Sequence, residues 1–315
     1  MGKYEPETEL LQRALQVSYD PLVLPNCAKA GVKVVLRRDD LIDPYCSGNK
    51  FYKLFYNLLN AKQLGAKRLT TAGGAWSNHI YAVALAARKI GLPCRGLIRG
   101  ERPRVLSPTL LDASRAGMQL EFISRANYRQ SAVFGPADLP EEDYFIPEGG
   151  ANSAGERGAA VLGQAIAATV PTSKNSYVCM AVGTGGTLKG VVSALPASVT
   201  AIGISVLKDN SGSSAIGSSM CEGRWRLLWG FAAGGYARRL PTYLLEFWKR
   251  FELSHAIALD PVYTLKALYA VDNLAARGYW PAGSQVVVIH SGGLQGRRGF
   301  RSQIDWPEPS FSHCF

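Results

Sequence analysis

A glycine-rich turn is the strongest local signal for chemistry in this chain. It consists of Gly183, Thr184, Gly185, Gly186 and Thr187, between the apolar run SYVCMAV and a segment with helical periodicity. Glycines let the backbone bring several N–H groups toward one point, and the start of the following helix adds partial positive charge. Such a turn suits a phosphate group, although it matches neither the Walker loop nor the dinucleotide fingerprint. A tight turn without any ligand is the alternative.

Two lysines stand where a helix is predicted to begin. Ser47, Gly48 and Asn49 precede Lys50, and Lys53 follows one helical turn later. The helix dipole disfavours positive charge at this end, so a lysine here calls for a reason other than solubility. An environment that lowers the pKa of a lysine makes its amine a nucleophile or a base. A plain surface position is the alternative for Lys50.

Three further segments stand at the edges of predicted elements. In residues 73–79 (GGAWSNH), Ser77 is either a helix N-cap or part of a carboxylate-binding turn. Residues 260–264 (DPVYT) and 290–293 (HSGG) carry Tyr263 and His290. Element edges are where α/β proteins place functional groups, while packed side chains without a catalytic role are the alternative.

Short β-rich runs alternate with helical patterns along most of the chain. This alternation predicts βαβ units and an α/β fold with mostly parallel, twisted sheets flanked by helices. Residues 80–90 are apolar almost all round, which predicts a helix buried between layers. The predicted strands cover residues 32–36, 68–71, 94–98, 120–123, 176–182, 199–206 and 285–290. The predicted helices cover residues 49–64, 77–90, 108–116, 154–168, 187–195, 240–252 and 264–276.

Two stretches of the sequence, residues 46–49 and the glycine-rich residues 148–158, weakly suggest domain boundaries. We expect a large domain formed by residues 1–52 and 158–315, with a smaller domain of residues 53–157 inserted in it. Clefts between α/β domains are preferred ligand sites, so the functional residues are expected in the cleft.

Composition excludes several classes of protein. The 315 residues are 47% hydrophobic and 19% charged, which is typical of a globular protein rather than a disordered one. No run of 18 apolar residues exists, and residues 1–10 lack the apolar core of a signal peptide, so we expect a cytoplasmic protein without membrane contact. The net charge of +11 is spread along the chain without a nucleic-acid-binding module, so no nucleic-acid partner is expected.

Cysteine and histidine usage argues against a metal site. The six cysteines are scattered without a CxxC pair, and only four histidines are present. We therefore expect free, reduced thiols and no bound metal.

Seven segments together resemble one family. In chain order they are GNKFYKL (48–54), GGAWSNH (73–79), PEGGAN (147–152), GTGGT (183–187), GGYAR (234–238), LDPVYT (259–264) and HSGG (290–293). Their order and spacing resemble the 1-aminocyclopropane-1-carboxylate deaminase and D-cysteine desulfhydrase family of fold-type-II enzymes, from about residue 36 to 293. The resemblance implies a two-domain fold similar to the tryptophan synthase β subunit, pyridoxal 5'-phosphate as cofactor, and a homodimer.

The resemblance also implies roles for individual residues. Lys50 matches the lysine that holds the cofactor as a Schiff base, Lys53 a lysine near its phosphate, and Asn78 the asparagine at its ring hydroxyl. The phosphate cradle matches Gly183, Thr184, Gly185, Gly186 and Thr187, and the surroundings of the pyridine nitrogen match Thr264 and Ser291. The implied catalytic residues are Lys50, Ser77, Tyr236 and Tyr263. The implied substrate-binding residues are Ser77, Asn78, Trp76 and His79.

Thr264 and Ser291 bear on the substrate. The deaminases of the family carry glutamate and leucine at these two positions, whereas the D-cysteine desulfhydrases carry hydroxyl residues. A carboxylate at the pyridine nitrogen favours a protonated, more electron-withdrawing ring, which ring opening needs more than expulsion of a thiolate does. The resemblance therefore implies β-elimination on a small D-amino acid, with D-cysteine giving pyruvate, ammonia and sulfide.

Four alternatives stay open. A lyase of D-serine or a related D-amino acid is one, and a nucleotide-binding module without pyridoxal phosphate is another. Two more lie closer to the family. One is ring opening of 1-aminocyclopropane-1-carboxylate, as in the deaminases. The other is a pyridoxal-phosphate-binding homologue without turnover, because Phe51, Tyr52 and Trp76 depart from the family pattern.

Overall fold

The computed structural model of the chain describes residues 6–130, 139–171, 175–207, 223–236 and 239–304. Within these ranges helices and strands alternate, as the sequence predicts, and the strands form two sheets. The strands are β1 Tyr19–Leu22, β2 Lys33–Arg37, β3 Arg68–Gly73, β4 Cys94–Arg99, β5 Met118–Ile123, β6 Asp143–Ile146, β7 Ser176–Val182, β8 Val199–Ser205, β9 Trp225–Leu228 and β10 Gln285–Ile289. The helices are α1 Pro6–Leu15, α2 Pro25–Lys29, α3 Asn49–Gln63, α4 Asn78–Ile90, α5 Pro108–Arg115, α6 Arg125–Gln130, α7 Ser153–Ala167, α8 Gly186–Ala194, α9 Thr242–His255 and α10 Thr264–Ala276. Short 3₁₀ turns cover Asp39–Leu41, Glu148–Gly150 and Leu294–Phe300.

The larger sheet has six strands in the order β1-β2-β10-β7-β8-β9. Its adjacent strands are parallel except for the pair β1 and β2. The central strand β10 pairs on both sides, with Val287 opposite Val35 of β2 and Val178 of β7. Its residues from Val286 to Ile289 are buried, because strands in the middle of a parallel sheet are covered on both faces. This burial explains why the run VVVI is continuously apolar.

The smaller sheet has four parallel strands in the order β5-β4-β3-β6. These strands lie between residues 68 and 146, whereas the larger sheet takes its strands from both sides of this stretch. The whole smaller sheet thus comes from the region expected to form an inserted domain. The boundaries of that domain, after residues 52 and 157, stay a prediction.

Helix α4 is buried as its apolar sequence predicts. Each residue from His79 to Ala87 is buried, and the helix packs against β3, β4, α3 and α5. The Ser77 hydroxyl oxygen accepts hydrogen bonds from the backbone N–H groups of His79 and Ile80, so Ser77 is the N-cap of this helix. This cap fixes the direction in which the chain leaves β3 and enters the helix.

The sequence patterns missed short elements, including β1, β6, β9, α1, α2 and α6. Strand β1 contains Pro21, which cannot donate a ladder hydrogen bond, and it pairs with a single neighbour at the sheet edge. Prolines are tolerated at such edges, but they weaken the sequence signal for a strand. Strand β9, at the opposite edge, has only four residues and none of them is fully buried.

The composition led to expectations about the cysteines and about membrane-spanning helices, and the described residues bear on both. The cysteines in this part of the chain, Cys27, Cys46, Cys94 and Cys179, are free and buried, as expected. Cys221 and Cys314 lie outside the described residues. In the described ranges we find no helix with the length and apolar character needed to cross a membrane.

Candidate active site

A cavity of about 430 Å³ lies where the carboxyl ends of strands from both sheets meet. Loops at these ends form the usual ligand-binding edge of an α/β fold. Segments at the ends of β3, β4, β7, β8 and β10 contribute to its wall. The sequence-predicted residues that line it are Lys50, Lys53, Ser77, Asn78, His79, Gly183, Thr184, Gly185, Thr187, Tyr236, Tyr263 and Ser291.

The segment before Lys50 lies against the segment after β10. Gly48 has a φ of +65°, and an ideal Cβ at this position would stand 1.9 Å from the backbone oxygen of Ser291. Both facts restrict the position to glycine. The helix that carries Lys50 therefore begins directly beside Ser291, although 241 positions separate these two residues in the sequence.

A buried ionic network anchors the first turn of helix α3. The Arg37 guanidinium donates to the Asp39 carboxylate at 3.0 Å, and the Tyr52 hydroxyl donates to the same carboxylate at 2.6 Å. All three side chains are fully buried. Because Tyr52 follows Lys50 by two residues, the network ties the lysine-bearing turn to strand β2. Tyr52, a departure from the family pattern, thus has a packing role here.

The two predicted lysines share the cavity with the glycine turn. Lys50 Nζ donates to Asn49 Oδ1 at 3.3 Å, and Asn49 Nδ2 donates to Thr187 Oγ1 at 2.9 Å, which joins the start of α3 to the start of α8. Lys53 Nζ donates to the backbone oxygen of Gly149 at 2.6 Å. An ideal Cβ on Gly186 would stand 3.0 Å from Lys53 Nζ, so Gly186 lies directly behind the cavity wall.

Burial controls the charge of these groups. Enclosure lowers the pKa of Lys50 to about 8, because burial disfavours the ammonium form. Burial lowers the pKa of Lys53 well below its ordinary value, and the charge of Lys50 adds to this effect. Burial and then the charges of both lysines lower the pKa of His79 well below its ordinary value, so its imidazole is neutral at pH 7. The cavity thus contains the amine of Lys50, of which a substantial fraction is uncharged near neutral pH.

The start of helix α4 brings three predicted residues to the opposite wall. Asn78 Oδ1 accepts a hydrogen bond from Gln295 Nε2 at 2.5 Å, and Gly293 approaches the same amide so closely that an ideal Cβ would stand 2.1 Å from Asn78 Nδ2. His79 Nε2 and Thr71 Oγ1 are hydrogen-bonded at 2.9 Å. The amide of Asn78 is therefore held in one orientation at the cavity.

Trp76 lies outside this cavity. It lines a smaller neighbouring cavity, and its ring packs against Gly299, where an ideal Cβ would stand 3.1 Å from Cζ3. Tyr236, Tyr263 and Asn78 line both cavities. The structure therefore places Trp76 beside the site rather than in its main wall.

Helix α10 brings Tyr263 and Thr264 to the site. The Asp260 carboxylate accepts hydrogen bonds from the backbone N–H groups of Val262, Tyr263 and Thr264 at 2.7 to 3.1 Å, which fixes the turn that leads into the helix. The Tyr263 hydroxyl is hydrogen-bonded to the Tyr236 hydroxyl, with the two rings edge to face at 6.3 Å. Burial, and then the neighbouring Tyr236, raise the pKa of Tyr263 well above its ordinary value, so its phenol keeps its proton.

The two hydroxyl residues discussed for specificity meet in the structure. Thr264 Oγ1 and Ser291 Oγ lie 3.4 Å apart, and Ser291 N donates to Thr264 Oγ1 at 3.3 Å. Ser291 lines the cavity, whereas Thr264 is fully buried behind it. The last two residues of the segment GGYAR, Ala237 and Arg238, lie outside the described residues.

Sequence reasoning missed some residues of the cavity wall. Arg99, the last residue of β4, lines the cavity with its guanidinium over the ring of Tyr128. The Tyr128 hydroxyl donates to Glu148 at 2.8 Å, and Glu148 and Gly149 also line the cavity. Arg99 stands at the carboxyl end of a parallel strand, and this position could have predicted that it lines the ligand-binding edge of the sheet. Glu148 and Gly149 belong to the segment PEGGAN, which carried the resemblance without any assigned role.

The residues around the cavity fit pyridoxal phosphate. Lys50 offers an amine of lowered pKa, and Lys53 with the N-terminus of α8 offers N–H donors for a phosphate, whose negative charge would favour the ammonium form of Lys53. The turn at Gly185, with a φ of +83°, keeps this helix start open toward the cavity. The oriented Asn78 amide suits the ring hydroxyl, and Ser291 suits the pyridine nitrogen.

Comparison with known proteins identifies the family. The pyridoxal-phosphate dependent enzyme family matches residues 16–230, so the chain belongs to this family. A Thermotoga maritima protein named "Putative 1-aminocyclopropane-1-carboxylate deaminase" is 33% identical over 293 residues, which cover 85% of this chain and 91% of that protein. The "Bifunctional D-cysteine desulfhydrase/1-aminocyclopropane-1-carboxylate deaminase, mitochondrial" of Arabidopsis thaliana is 28% identical over 313 residues, covering 87% of this chain and 74% of that protein.

A solved structure gives the same result. The crystal structure of an ACC deaminase homologue superposes with a TM-score of 0.75 at 27% identity, covering 93% of this chain and 96% of that one. The resemblance inferred from the seven segments is therefore confirmed, as are the fold class and the cofactor. The protein is a pyridoxal-phosphate-dependent lyase of the 1-aminocyclopropane-1-carboxylate deaminase and D-cysteine desulfhydrase group.

Proposed function

We propose that the protein catalyses β-elimination on a small D-amino acid and that D-cysteine is its substrate. The hydroxyl pair of Thr264 and Ser291 supports this proposal most directly, because it offers uncharged hydrogen-bonding groups at the position proposed for the pyridine nitrogen. The nearest carboxylate before this helix in the chain, Asp260, is engaged by three backbone N–H groups. A neutral pyridine ring suffices to expel a thiolate but is a poor electron sink for opening a cyclopropane ring.

The roles of the residues follow from their positions. When bound, pyridoxal phosphate supplies the electron sink that stabilises negative charge at the substrate's Cα. Lys50 holds the cofactor through Nζ, and the same nitrogen accepts the Cα proton during turnover. With its pKa at about 8, roughly a tenth of a free Lys50 amine is neutral at pH 7. Lys53 and the start of α8 hold the phosphate.

The remaining side chains face the substrate. The start of α4, with Ser77 and Asn78, binds the substrate carboxylate, since a helix N-terminus favours anions. Tyr263 keeps its proton at neutral pH and can donate it to the departing sulfur, with Tyr236 as its hydrogen-bond partner. The Cβ–S bond breaks with its electron pair on sulfur. Addition of water then completes the balance, so that D-cysteine and water give pyruvate, ammonia and hydrogen sulfide.

Product analysis tests this proposal. The purified holoenzyme is incubated separately with D-cysteine, L-cysteine and 1-aminocyclopropane-1-carboxylate, and sulfide, pyruvate and 2-oxobutanoate are measured. We expect sulfide and pyruvate in equal amounts from D-cysteine, and no 2-oxobutanoate above background. Release of 2-oxobutanoate without sulfide would replace the proposal with the deaminase alternative, which the names of the relatives also support. Inertness toward all three would favour a cofactor-binding homologue without turnover.

Substitution of the hydroxyl pair tests the reason for the specificity. Thr264→Glu with Ser291→Leu should lower the ratio of sulfide release from D-cysteine to 2-oxobutanoate release from 1-aminocyclopropane-1-carboxylate at least tenfold, because a carboxylate would favour the protonated ring that ring opening needs, and both hydroxyls are lost. Thr264→Ser with Ser291→Thr keeps both hydroxyls and is the matched control, expected within about threefold of wild type. Equal activity of both double variants would mean that the hydroxyl pair does not determine the substrate specificity.

We also propose a homodimer, on the basis of the family resemblance alone, and a location in the cytoplasm, where the free cysteines of the described residues stay reduced. Light scattering during size-exclusion chromatography should give about twice the chain mass of 34.0 kDa. Cell fractionation with an antibody against the protein tests the location. A mass equal to that of one chain would contradict the dimer.

A further inference from the structure

Lys266 is a buried lysine that the proposed mechanism does not use. Its side chain is 1% exposed, and it stands on helix α10 three residues after Tyr263. Its Nζ donates to three backbone oxygens, those of Val206 at 3.1 Å, Ala232 at 2.7 Å and Gly235 at 2.7 Å. An ammonium has three N–H donors, so these acceptors account for all of them.

The arrangement is that of a cation site. Backbone carbonyl oxygens that converge on one point replace the hydration shell of a cation, as they do in ion-selective proteins. Without such acceptors, a buried ammonium would be costly. No carboxylate in the described part of the chain forms an ion pair with Lys266, and Asp260 is the charged group whose field reaches it. Burial lowers the pKa of Lys266 to about 8, so its ammonium form still predominates at neutral pH.

The carbonyl oxygens come from a strained turn. Ala233, Gly234 and Gly235 have φ values of +43°, +90° and +67°, three left-handed residues in succession. For a residue with a side chain, such as Ala233, this conformation is strained and persists only where its surroundings hold it. The turn also contains a hydrogen bond from Gly235 N to Ala232 O at 2.7 Å. The ammonium attracts the oxygens at both ends of this turn and thereby stabilises it.

The turn leads directly into the cavity wall. Gly234, Gly235 and Tyr236 line the cavity, and Leu207, next to Val206, lines it as well. The Tyr236 side chain is 47% exposed, so packing alone restrains it weakly. Its hydroxyl meets that of Tyr263 on the same helix that carries Lys266. The first turn of helix α10 therefore restrains Tyr236 in two ways. Lys266 holds the backbone before Tyr236, and Tyr263 holds its hydroxyl.

We propose that Lys266 is a positioning residue whose ammonium group is the built-in cation of a three-carbonyl site, and that this cation sets the position of Tyr236 at the substrate-facing wall. The inference rests on the proposed function only for the role of Tyr236 toward the substrate. The cation site itself and its effect on the turn stand on the described geometry.

The first test follows Tyr236 without any substrate. The holoenzyme is labelled with 3-fluorotyrosine, and the ¹⁹F resonances of Tyr236 and Tyr263 are assigned with Tyr236→Phe and Tyr263→Phe. We expect the Tyr236 resonance to shift in Lys266→Met, which keeps an unbranched chain out to Cε and loses the ammonium group, and in Lys266→Ala. An unchanged resonance in Lys266→Met would overturn the proposal, whatever the enzyme turns over.

Chemical rescue distinguishes a cation site from a general packing role. n-Propylammonium has the three carbons and the ammonium group that Lys266→Ala removes. It should return the Tyr236 resonance toward its wild-type position and raise the Tm of Lys266→Ala by several degrees, whereas sodium chloride at equal ionic strength should not. Lys266→Met has no space for the amine and should show no rescue. Wild type and Lys266→Met are measured in the same concentration of n-propylammonium. A change that the amine causes through the cofactor would appear in these two proteins as well. Equal responses of all three proteins would overturn the proposal.

A double-mutant cycle connects the site to turnover. Lys266→Met should lower kcat/KM at least tenfold in the wild-type background but less than about threefold in the Tyr236→Phe background, because both changes act on one group. Equal losses in both backgrounds would mean that Lys266 acts on the fold in general. If no amino acid is turned over, the resonance and rescue measurements still decide the inference.

Discussion

Replacing Lys53 with methionine should stabilise the cofactor-free protein and weaken its binding of pyridoxal phosphate. Lys53 is 1% exposed, and burial holds its pKa well below the ordinary value. Glu156 is the carboxylate whose field reaches it, and that carboxylate already pairs with Lys189 at 2.8 Å. The amine is therefore kept in an unfavourable environment, which a ligand with negative charge would relieve.

The magnitudes follow from these contacts. Methionine loses the hydrogen bond from Lys53 Nζ to Gly149 O, which is worth about 1 kcal/mol. It also removes the desolvation penalty of a buried amine, which is several kcal/mol for an ion. We expect a net gain of about 1–3 kcal/mol in the free energy of unfolding, or a rise in Tm of roughly 3–10 °C. Loss of a charge-assisted hydrogen bond to phosphate, worth about 1.5–3 kcal/mol, should raise the Kd for the cofactor roughly 10- to 150-fold.

Two measurements on the same preparations check this prediction. Thermal unfolding of the cofactor-free proteins gives the stability, and titration with pyridoxal phosphate, followed by its absorbance, gives the affinity. Lys189→Met is the matched control, because it removes a lysine from the same helix as the glycine turn but at a partly exposed ion pair. The control should change neither quantity by much, since exposed pairs contribute about 0–1 kcal/mol. Wild-type cofactor affinity in Lys53→Met would refute the reasoning about the phosphate.

Three further predictions concern Lys50 and the loop before it. Lys50→Ala should abolish the lysine-linked absorbance of the cofactor and lower turnover by at least about a thousandfold, measured by visible spectroscopy and sulfide release. The rate at which cofactor-free protein captures pyridoxal phosphate should fall about tenfold per pH unit below pH 8, because only the neutral amine of Lys50 reacts, and a rate independent of pH would contradict the lowered pKa. Gly48→Ala places a Cβ 1.9 Å from Ser291 O and should lower the free energy of unfolding by several kcal/mol. Gly65→Ala is the control, because Gly65 has the same φ of +65° but no atom within 4 Å of the added Cβ. It should cost only about 1 kcal/mol.

Local features of the site were predictable from the sequence because they depend on a few neighbouring residues. The turn Gly183–Thr187 follows an apolar strand and opens helix α8, and both boundaries were visible in the pattern. Ser77 was recognisable as an N-cap, and the apolar helix after it was correctly expected to be buried. Alternating strands and helices similarly predicted a mostly parallel sheet. Hydrophobic periodicity and turn chemistry are local, so the sequence displays them directly.

Short edge elements escaped prediction for the opposite reason. Strand β1 contains Pro21 and pairs with one neighbour, so its existence depends on strand β2 rather than on its own pattern. The roles assigned to individual residues came from the resemblance, because no local pattern says which lysine binds a cofactor. The structure places Lys50, Lys53 and Asn78 at one cavity, and their roles stay predictions.

The sequence alone established the fold class, the glycine turn and the family resemblance, and the tertiary structure decided which distant side chains meet. Gln295 orients Asn78 across 217 residues of sequence, and Arg99 reaches the cavity only because β4 ends beside β3. Trp76, next to Ser77 in the chain, lies outside the main cavity because the turn directs it toward Gly299. Lys266 finds its three carbonyl partners in segments that begin 31 or more residues away. Such contacts depend on how distant elements of the chain come together in three dimensions, and periodicity within one segment does not encode that arrangement.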